Sequence, residues 1–310
     1  MRFAQFGGEY NITSRVSEKY NCPEGIISLR RRRDFTIESF TFFEYNDKKK
    51  KSDKSGFTGE TVMEYIKVTK DNIESEHICC AISNNKDVQV ASKKAWLTAR
   101  FDDGLVFLKS VERGKCFIEY IPAENAWNPI DADGYMYIDC LWVSGSFKGH
   151  GYSNELLDEC IKDSKAKGKT GLCILTSEKK KPFLADPKYL KHKGFTVCDE
   201  ADNGIQLAYL PLAASAAKPR FKDCAKYLRI EEKGYVLYYT SQCPFNAKYV
   251  PIVEQTAKEH NIPFKAIHIE NKEQAQNAPT PITTYALFYD GVYLTNEQMN
   301  DTKFLKLVAR

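Results

Sequence analysis

The stretch Leu141-Trp142-Val143-Ser144-Gly145-Ser146-Phe147-Lys148-Gly149-His150-Gly151-Tyr152-Ser153-Asn154-Glu155-Leu156-Leu157 decides how this chain is read. It runs from an apolar, aromatic segment through a glycine-spaced turn into the start of an amphipathic helix. Glycines let the backbone approach a ligand closely, and the unpaired N–H groups of a helix start, aided by the helix dipole, point toward negative charge. Lys148 adds a full positive charge at the edge. The turn therefore reads as an anion site of the kind a diphosphate would occupy. A dinucleotide fold would need an acidic residue after a second parallel strand, and an ATP loop would need a Gly-Lys-Ser/Thr ending; neither is present.

Upstream of the turn, GLVFLKSV (104–111), KCFIEYIP (115–122) and GYMYIDCLWV (134–143) are rich in β-branched and aromatic residues and bounded by glycine or proline, as in successive strands of a meander. A first strand is expected in MEYIKVTKDNI, from Met63. Downstream, Leu156, Leu157, Cys160 and Ile161 recur at helical spacing and the helix stops at Gly168, a C′ position. TGLCILTS then reads as a buried strand, PKYLKHKG as a short helix, and FTVCDE with IQLAYLPL as a closing pair of strands. The fold class expected is α/β of the mixed α+β kind, with a mostly antiparallel sheet flanked by helices.

At 310 residues the chain has room for about two domains. Small residues and a proline in AASAAKPR, residues 213–220, mark a linker. Domain 63–212 precedes it and a smaller unit, 221–310, follows it, in the order βαβ-ββα: YVLYYT, a helix just after Cys243, IPFKAIHI, a hairpin around Asp290-Gly291, and the helix DTKFLKLV. Residues 1–62 carry the basic runs Arg30–Arg33 and Lys48–Lys51 and read as a solvated extension, partly disordered.

Composition is that of a soluble globular protein, with 43% hydrophobic and 28% charged residues. No apolar run approaches the roughly 20 residues of a membrane span, and the first residues lack the pattern of a secretory signal, so a cytoplasmic location is expected. A formal net charge of +4, from dispersed lysines, argues against a nucleic-acid partner and leaves phosphorylated ligands open. The ten cysteines form no CxxC and no metal-ligand spacing, so reduced thiols and no metal are expected. If the adjacent Cys79 and Cys80 sit on a strand, they point to opposite sides and pack.

Val143 to Leu157 resembles the acetyl-CoA motif of the GNAT superfamily, Arg/Gln-x-x-Gly-x-Gly/Ala after a strand. Lys148 falls at the Arg/Gln position, Gly151 at the central glycine and Ser153 at the Gly/Ala position. Lysine keeps the charge without the fork of donors, and serine stays small. The resemblance implies acetyl-CoA as co-substrate, held by Lys148, Gly149, His150, Gly151, Tyr152, Ser153 and Asn154, with the pantetheine arm along Cys140, Leu141, Trp142 and Val143. In that family a tyrosine five residues before the Gly-Phe phenylalanine often serves as general acid. With Phe195 as anchor that slot holds Leu190, and Tyr189 beside it is the candidate.

The activity implied is N-acetylation of a small-molecule or protein amine by direct transfer in a ternary complex. Such a transfer needs a carboxylate or water chain to take the amine's proton, and Glu119, Glu124 and Asp139 are the candidates. Glu119 and Asp139 sit among apolar neighbours, where a cleft-facing carboxyl would have a raised pKa. His150 reads as exposed.

YVLYYTSQCPFNAKYV resembles the active-site strand and helix start of thioredoxin-like domains, with Cys243-Pro244-Phe245-Asn246 where those carry Cys-x-x-Cys. Thr280-Pro281-Ile282 looks like their cis-proline loop. Cys243 is thus a possible thiol site without a resolving partner. The pairing of the two units resembles bacterial acetyltransferases with a YoaP-type C-terminal domain, carried by EHICCAIS, FIEYIPAENAW, GYMYIDCLWVSG, KPFLADPKYLKHKGF and YTSQCPF. The alternatives are a non-catalytic acyl-CoA or protein-binding module, or a thiol-redox protein acting through Cys243. No acceptor and no oligomeric state follow from the sequence.

Overall fold

The computed structural model describes residues 63–81, 84 and 86–309; the basic runs and the extension read in residues 1–62 lie outside the described residues. In chain order the elements are β1 (Tyr65–Val68), α1 (Val88–Arg100), β2 (Val106–Ser110), β3 (Cys116–Pro122), β4 (Ile130–Asp131), β5 (Tyr135–Val143), α2 (Tyr152–Ala166), β6 (Gly171–Ser177), α3 (Pro187–His192), β7 (Thr196–Ala201), β8 (Ile205–Pro211) and β9 (Arg220–Phe221). They continue with β10 (Tyr235–Tyr239), α4 (Asn246–Glu259), β11 (Phe264–His268), α5 (Lys272–Gln276), β12 (Tyr285–Tyr289), β13 (Val292–Thr295) and α6 (Asp301–Val308).

A seven-stranded sheet has the order β1-β2-β3-β5-β6-β8-β7, and every neighbouring pair is antiparallel except β5 with β6. The parallel pair is joined through α2, as a crossover requires. α2 ends as its sequence predicts, with Lys167 at the C-cap and Gly168 following at φ +68°. A four-stranded sheet follows, β11-β10-β12-β13, with β10 and β11 parallel and the other pairs antiparallel. No peptide bond among the described residues is cis, so the likeness of Thr280-Pro281-Ile282 to a cis-proline loop does not extend to the isomer.

Helices α2 and α3 bury Leu156, Leu157, Cys160, Tyr189 and Leu190 on one face of the large sheet, against Ile118, Tyr120, Met136 and Ile138. The other face, with Phe117, Tyr137 and Trp142, shares one apolar core with Trp96 and Leu97 of α1 and with Ile282, Ala286 and Phe288 of the C-terminal unit. The two sheets thus belong to one compact unit. Polar ties reinforce the join. Asn128 donates to the Pro281 carbonyl at 3.0 Å, Thr283 to the Trp127 carbonyl at 2.6 Å, and Asn296 to the Pro182 carbonyl at 2.6 Å. β9, in the stretch between the sheets, pairs with β4.

Several features depart from expectation, and the short elements β4, β9 and α5 are additions to it. α1 escapes an apolar-periodicity reading because its buried stripe, Val90, Lys93, Lys94, Trp96 and Leu97, contains two lysines. Cys79 and Cys80 occupy a turn rather than a strand, and both are buried.

Lys93 is 1% exposed, and its ammonium donates to both oxygens of Glu119, at 2.8 and 2.5 Å, and to the Gln242 carbonyl at 2.8 Å. All three of its protons are therefore used. Burial works against the charge, but the Glu119 carboxylate outweighs it and holds Lys93 above the ordinary lysine value. Replacing Lys93 by methionine strands a buried carboxylate, so Lys93→Met is expected to cost about 3–5 kcal/mol in urea unfolding, with much of the loss recovered in Lys93→Met/Glu119→Leu.

Candidate acyl-transfer site

β3 and β5 pair in register from Cys116↔Val143 to Glu119↔Cys140, then shift to Tyr120↔Ile138. Asp139 is the extra residue, a β-bulge. A bulge turns two consecutive side chains toward one side of the sheet and bends the strand away from its neighbour. Both consequences are visible. Asp139 and Cys140 are the partly exposed positions of an otherwise buried β5. The parallel pairing with β6 covers only Tyr135–Ile138 against Gly171–Ile174, and beyond Ile138 the strands separate.

A cavity of about 100 Å³ lies at this separation. Its walls include Asp139, Cys140, Leu141 and Trp142 from β5 and Ile174 and Leu175 from β6. Cys80, Lys93 and Glu119 also reach it, and the C-terminal unit contributes Gln242, Cys243 and Tyr285. Gln242 Nε2 donates to Asp139 Oδ1 at 3.0 Å. Burial, then the Glu119 carboxylate, push the Asp139 carboxyl well above the usual range, with Lys93 and the Gln242 amide opposing. Glu119 is differently placed: beside its two bonds from Lys93 it accepts from Trp96 Nε1 at 3.3 Å. Glu124 is removed from the cavity walls and pairs with Lys169 at 2.5 Å.

The turn after β5 is held by Phe147, which is buried and fills the space a side chain at Gly114 would need, since a Cβ there would lie 2.0 Å from the ring. Lys148 is extended, and Gly149 and Gly151 follow at φ +84° and +87°, conformations that favour glycine. A Cβ at either glycine would meet open space. Gly151 is the N-cap of α2, with no side-chain cap bond. Among the described residues no backbone carbonyl accepts from the amides of Gly149, His150, Gly151, Tyr152 or Ser153, whereas Asn154 bonds back to Gly151 at 2.8 Å. His150 is exposed and stacks on Tyr152, ring centroids 5.4 Å apart.

The candidate acid Tyr189 is separated from the carboxyls. It is buried against α2, donates to the Ser153 carbonyl at 3.0 Å, does not line the cavity, and is pushed by burial to about 12. Cys243 does join the carboxyls, and burial raises its thiol, with the Gln298 side chain and the Phe245 amide opposing. The nine cysteines of the described residues are all unpaired, and no group of three or more His, Cys, Asp and Glu among those residues is arranged to hold a metal ion. No helix among them is long and apolar enough to cross a membrane. Sequence reasoning missed Cys80, Lys93, Gln242 and Tyr285 as cavity residues. Lys93 alone had a signal, in its place on a helical stripe with Trp96 and Leu97.

Residues 70–182 match the Acetyltransferase (GNAT) family and residues 263–306 a family described as YoaP-like. The chain is 45% identical over 245 residues to the protein named Uncharacterized N-acetyltransferase YoaP from Bacillus subtilis (strain 168), covering 79% of this chain and 98% of that one. Among solved structures, that of yncA from Salmonella typhimurium with its cofactor acetyl-CoA is 18% identical, covering 50% of this chain and 97% of that one at a TM-score of 0.35. Ribosomal-protein-alanine N-acetyltransferase from Brucella melitensis is 15% identical, covering 48% of this chain and 100% of that one at 0.36. From the match over most of both chains to a YoaP relative, together with the two family matches, this chain belongs to the GNAT acetyltransferases that carry a YoaP-like C-terminal region.

Proposed function

We propose that the protein transfers the acetyl group of acetyl-CoA directly to an amine in a ternary complex. The observation that carries this reading is the parting of β5 from β6 at the Asp139 bulge, directly before a glycine turn with unclaimed amides. The amides between Lys148 and Asn154, from Gly149 to Ser153, hold the diphosphate. The edge of β5 from Cys140 to Val143, which lacks a partner on the β6 side, offers N–H and C=O groups to the pantetheine arm. The thioester then reaches the cavity at Asp139.

Attack on the thioester carbonyl requires a neutral amine, and the nitrogen sheds a proton as the C–N bond forms and the C–S bond breaks. Asp139 takes that proton, because a carboxyl raised by burial is a stronger base than one in water. Returning it to the departing thiolate closes the proton balance within one residue. Glu119 serves as a fixed countercharge to Lys93 rather than as the base, and Tyr189 braces the start of α2. The strand order of the C-terminal sheet supports the thioredoxin-like reading of that unit. Thiol exchange finds less support: burial raises Cys243, and Asn246 stands where a second thiol would be.

Asp139→Asn keeps the Gln242 contact and removes the base; steady-state thiol release is expected to fall about 10²–10⁴-fold in kcat with acetyl-CoA affinity retained. Because the folded carboxyl binds its proton more tightly than the unfolded one, wild-type stability is lost as pH rises from about 3.9 through the raised value, and the wild-type rate climbs over the upper part of that range. Urea unfolding of wild type against Asp139→Asn across that range checks the first, since the variant lacks the slope, and the pH–rate profile the second. Gly149→Val and Gly151→Val each force a β-branched residue to positive φ, at about 1–2 kcal/mol, and should weaken acetyl-CoA binding tenfold or more by calorimetry.

A further inference from the structure

Four side chains lining the cavity carry a buried polar atom with no hydrogen-bond partner: Asn128 Oδ1, Gln242 Oε1, Gln298 Oε1 and the Tyr285 hydroxyl. Their residues are 4%, 6%, 2% and 1% exposed. An unpaired buried polar atom is costly, so four around one cavity point to a ligand that satisfies them. Trp127 Nε1 and Thr240 Oγ1 also lack partners, but neither residue lines the cavity.

The free atoms have one chemical character. In each amide the nitrogen is committed to an oxygen: Asn128 to the Pro281 carbonyl at 3.0 Å, Gln242 to Asp139 Oδ1 at 3.0 Å, and Gln298 to Asn246 Oδ1 at 2.5 Å. Asn246 is itself oriented by its amide nitrogen, which donates to the carbonyls of Thr240 and Thr284. What remains unpartnered in these lining residues is three amide oxygens, which only accept, and one phenol, which accepts or donates. Asp139 adds a carboxyl on the same walls, while the Glu119 charge is already matched by Lys93. The unpartnered atoms on these walls are therefore mainly acceptors and favour a ligand rich in N–H donors.

A neutral primary amine has two N–H donors, fewer than these acceptors. We infer that the acceptor substrate is a compact amine carrying a second N–H-rich cationic group, an ammonium or guanidinium, and that the C-terminal unit builds part of its site. Gln242, Tyr285 and Gln298 come from that unit, and Asn128 and Asp139 from the acetyltransferase side. This inference rests on the proposed acetyl transfer. It also excludes acceptors with a carboxylate at the second position, whose oxygens would face the amide oxygens and Asp139.

The test uses the full chain with putrescine as the diamine, butylamine as its monoamine analogue and gamma-aminobutyrate as the analogue ending in a carboxylate. Two readouts are followed: the shift in melting temperature with each amine, alone and with CoA, and thiol release from acetyl-CoA. Putrescine should raise the melting temperature and be acetylated with a kcat/KM at least about tenfold above either analogue. Tyr285→Phe removes only the unpartnered hydroxyl; the unliganded variant should melt at or above the wild-type temperature, yet bind putrescine about tenfold more weakly. Equal shifts from all three amines, or no shift from any while acetyl-CoA binds, would overturn the inference, as would an undiminished putrescine shift in Tyr285→Phe. Putrescine binding without acetyl-CoA binding would support the cation pocket and remove its role in acetyl transfer, so the two readings fail separately.

Discussion

The Lys93 ammonium is the point on which the rest of this architecture turns. A cation buried to 1% exposure persists only if every proton has an acceptor and a countercharge lies against it. Glu119 supplies the charge from β3, and the Gln242 carbonyl supplies the last acceptor from the loop after β10. One side chain of α1 thereby joins the central sheet to the C-terminal unit. The same loop carries the Gln242 side chain onto Asp139 and brings Cys243 to the cavity wall. The C-terminal sheet is thus part of the cleft, and its place there is set by an electrostatic requirement of the acetyltransferase core.

The bulge at Asp139 has a complementary role. A regular strand would alternate, leaving Asp139 and Cys140 on opposite faces and β5 paired with β6 along its length. One inserted residue sends both side chains to the face that carries Lys93 and Glu119 and opens the edge of β5 from there onward. It concentrates two acidic groups and one lysine in a small space. The ion pair satisfies one carboxyl and leaves the other elevated, so two similar residues on adjacent strands acquire different chemistry.

Much of the fold was legible along the chain. The strand segments from 104 to 143, the helix ending before Gly168 and, apart from the short helix α5, the βαβ-ββα order of the last ninety or so residues follow from local alternation, helical spacing and glycine positions. The turn from Lys148 to Asn154 was legible for the same reason, since its amides and glycines are consecutive residues. α1 was not, because Lys93 and Lys94 interrupt its apolar stripe, and their burial depends on Glu119 and on Glu74, whose carbonyl Lys94 meets, neither of which lies on α1.

The sequence by itself determined most of the elements, the glycine turn and the candidate carboxyls, because each rests on residues near in the chain. Only the tertiary structure decided that Glu119 is held by Lys93 and Trp96, that Asp139 is raised, that Tyr189 braces α2, and that Gln242, Cys243 and Tyr285 wall the same cavity. Protonation and burial depend on what surrounds a group in space, and here those surroundings arrive from segments up to 149 residues away, as between Lys93 and Gln242.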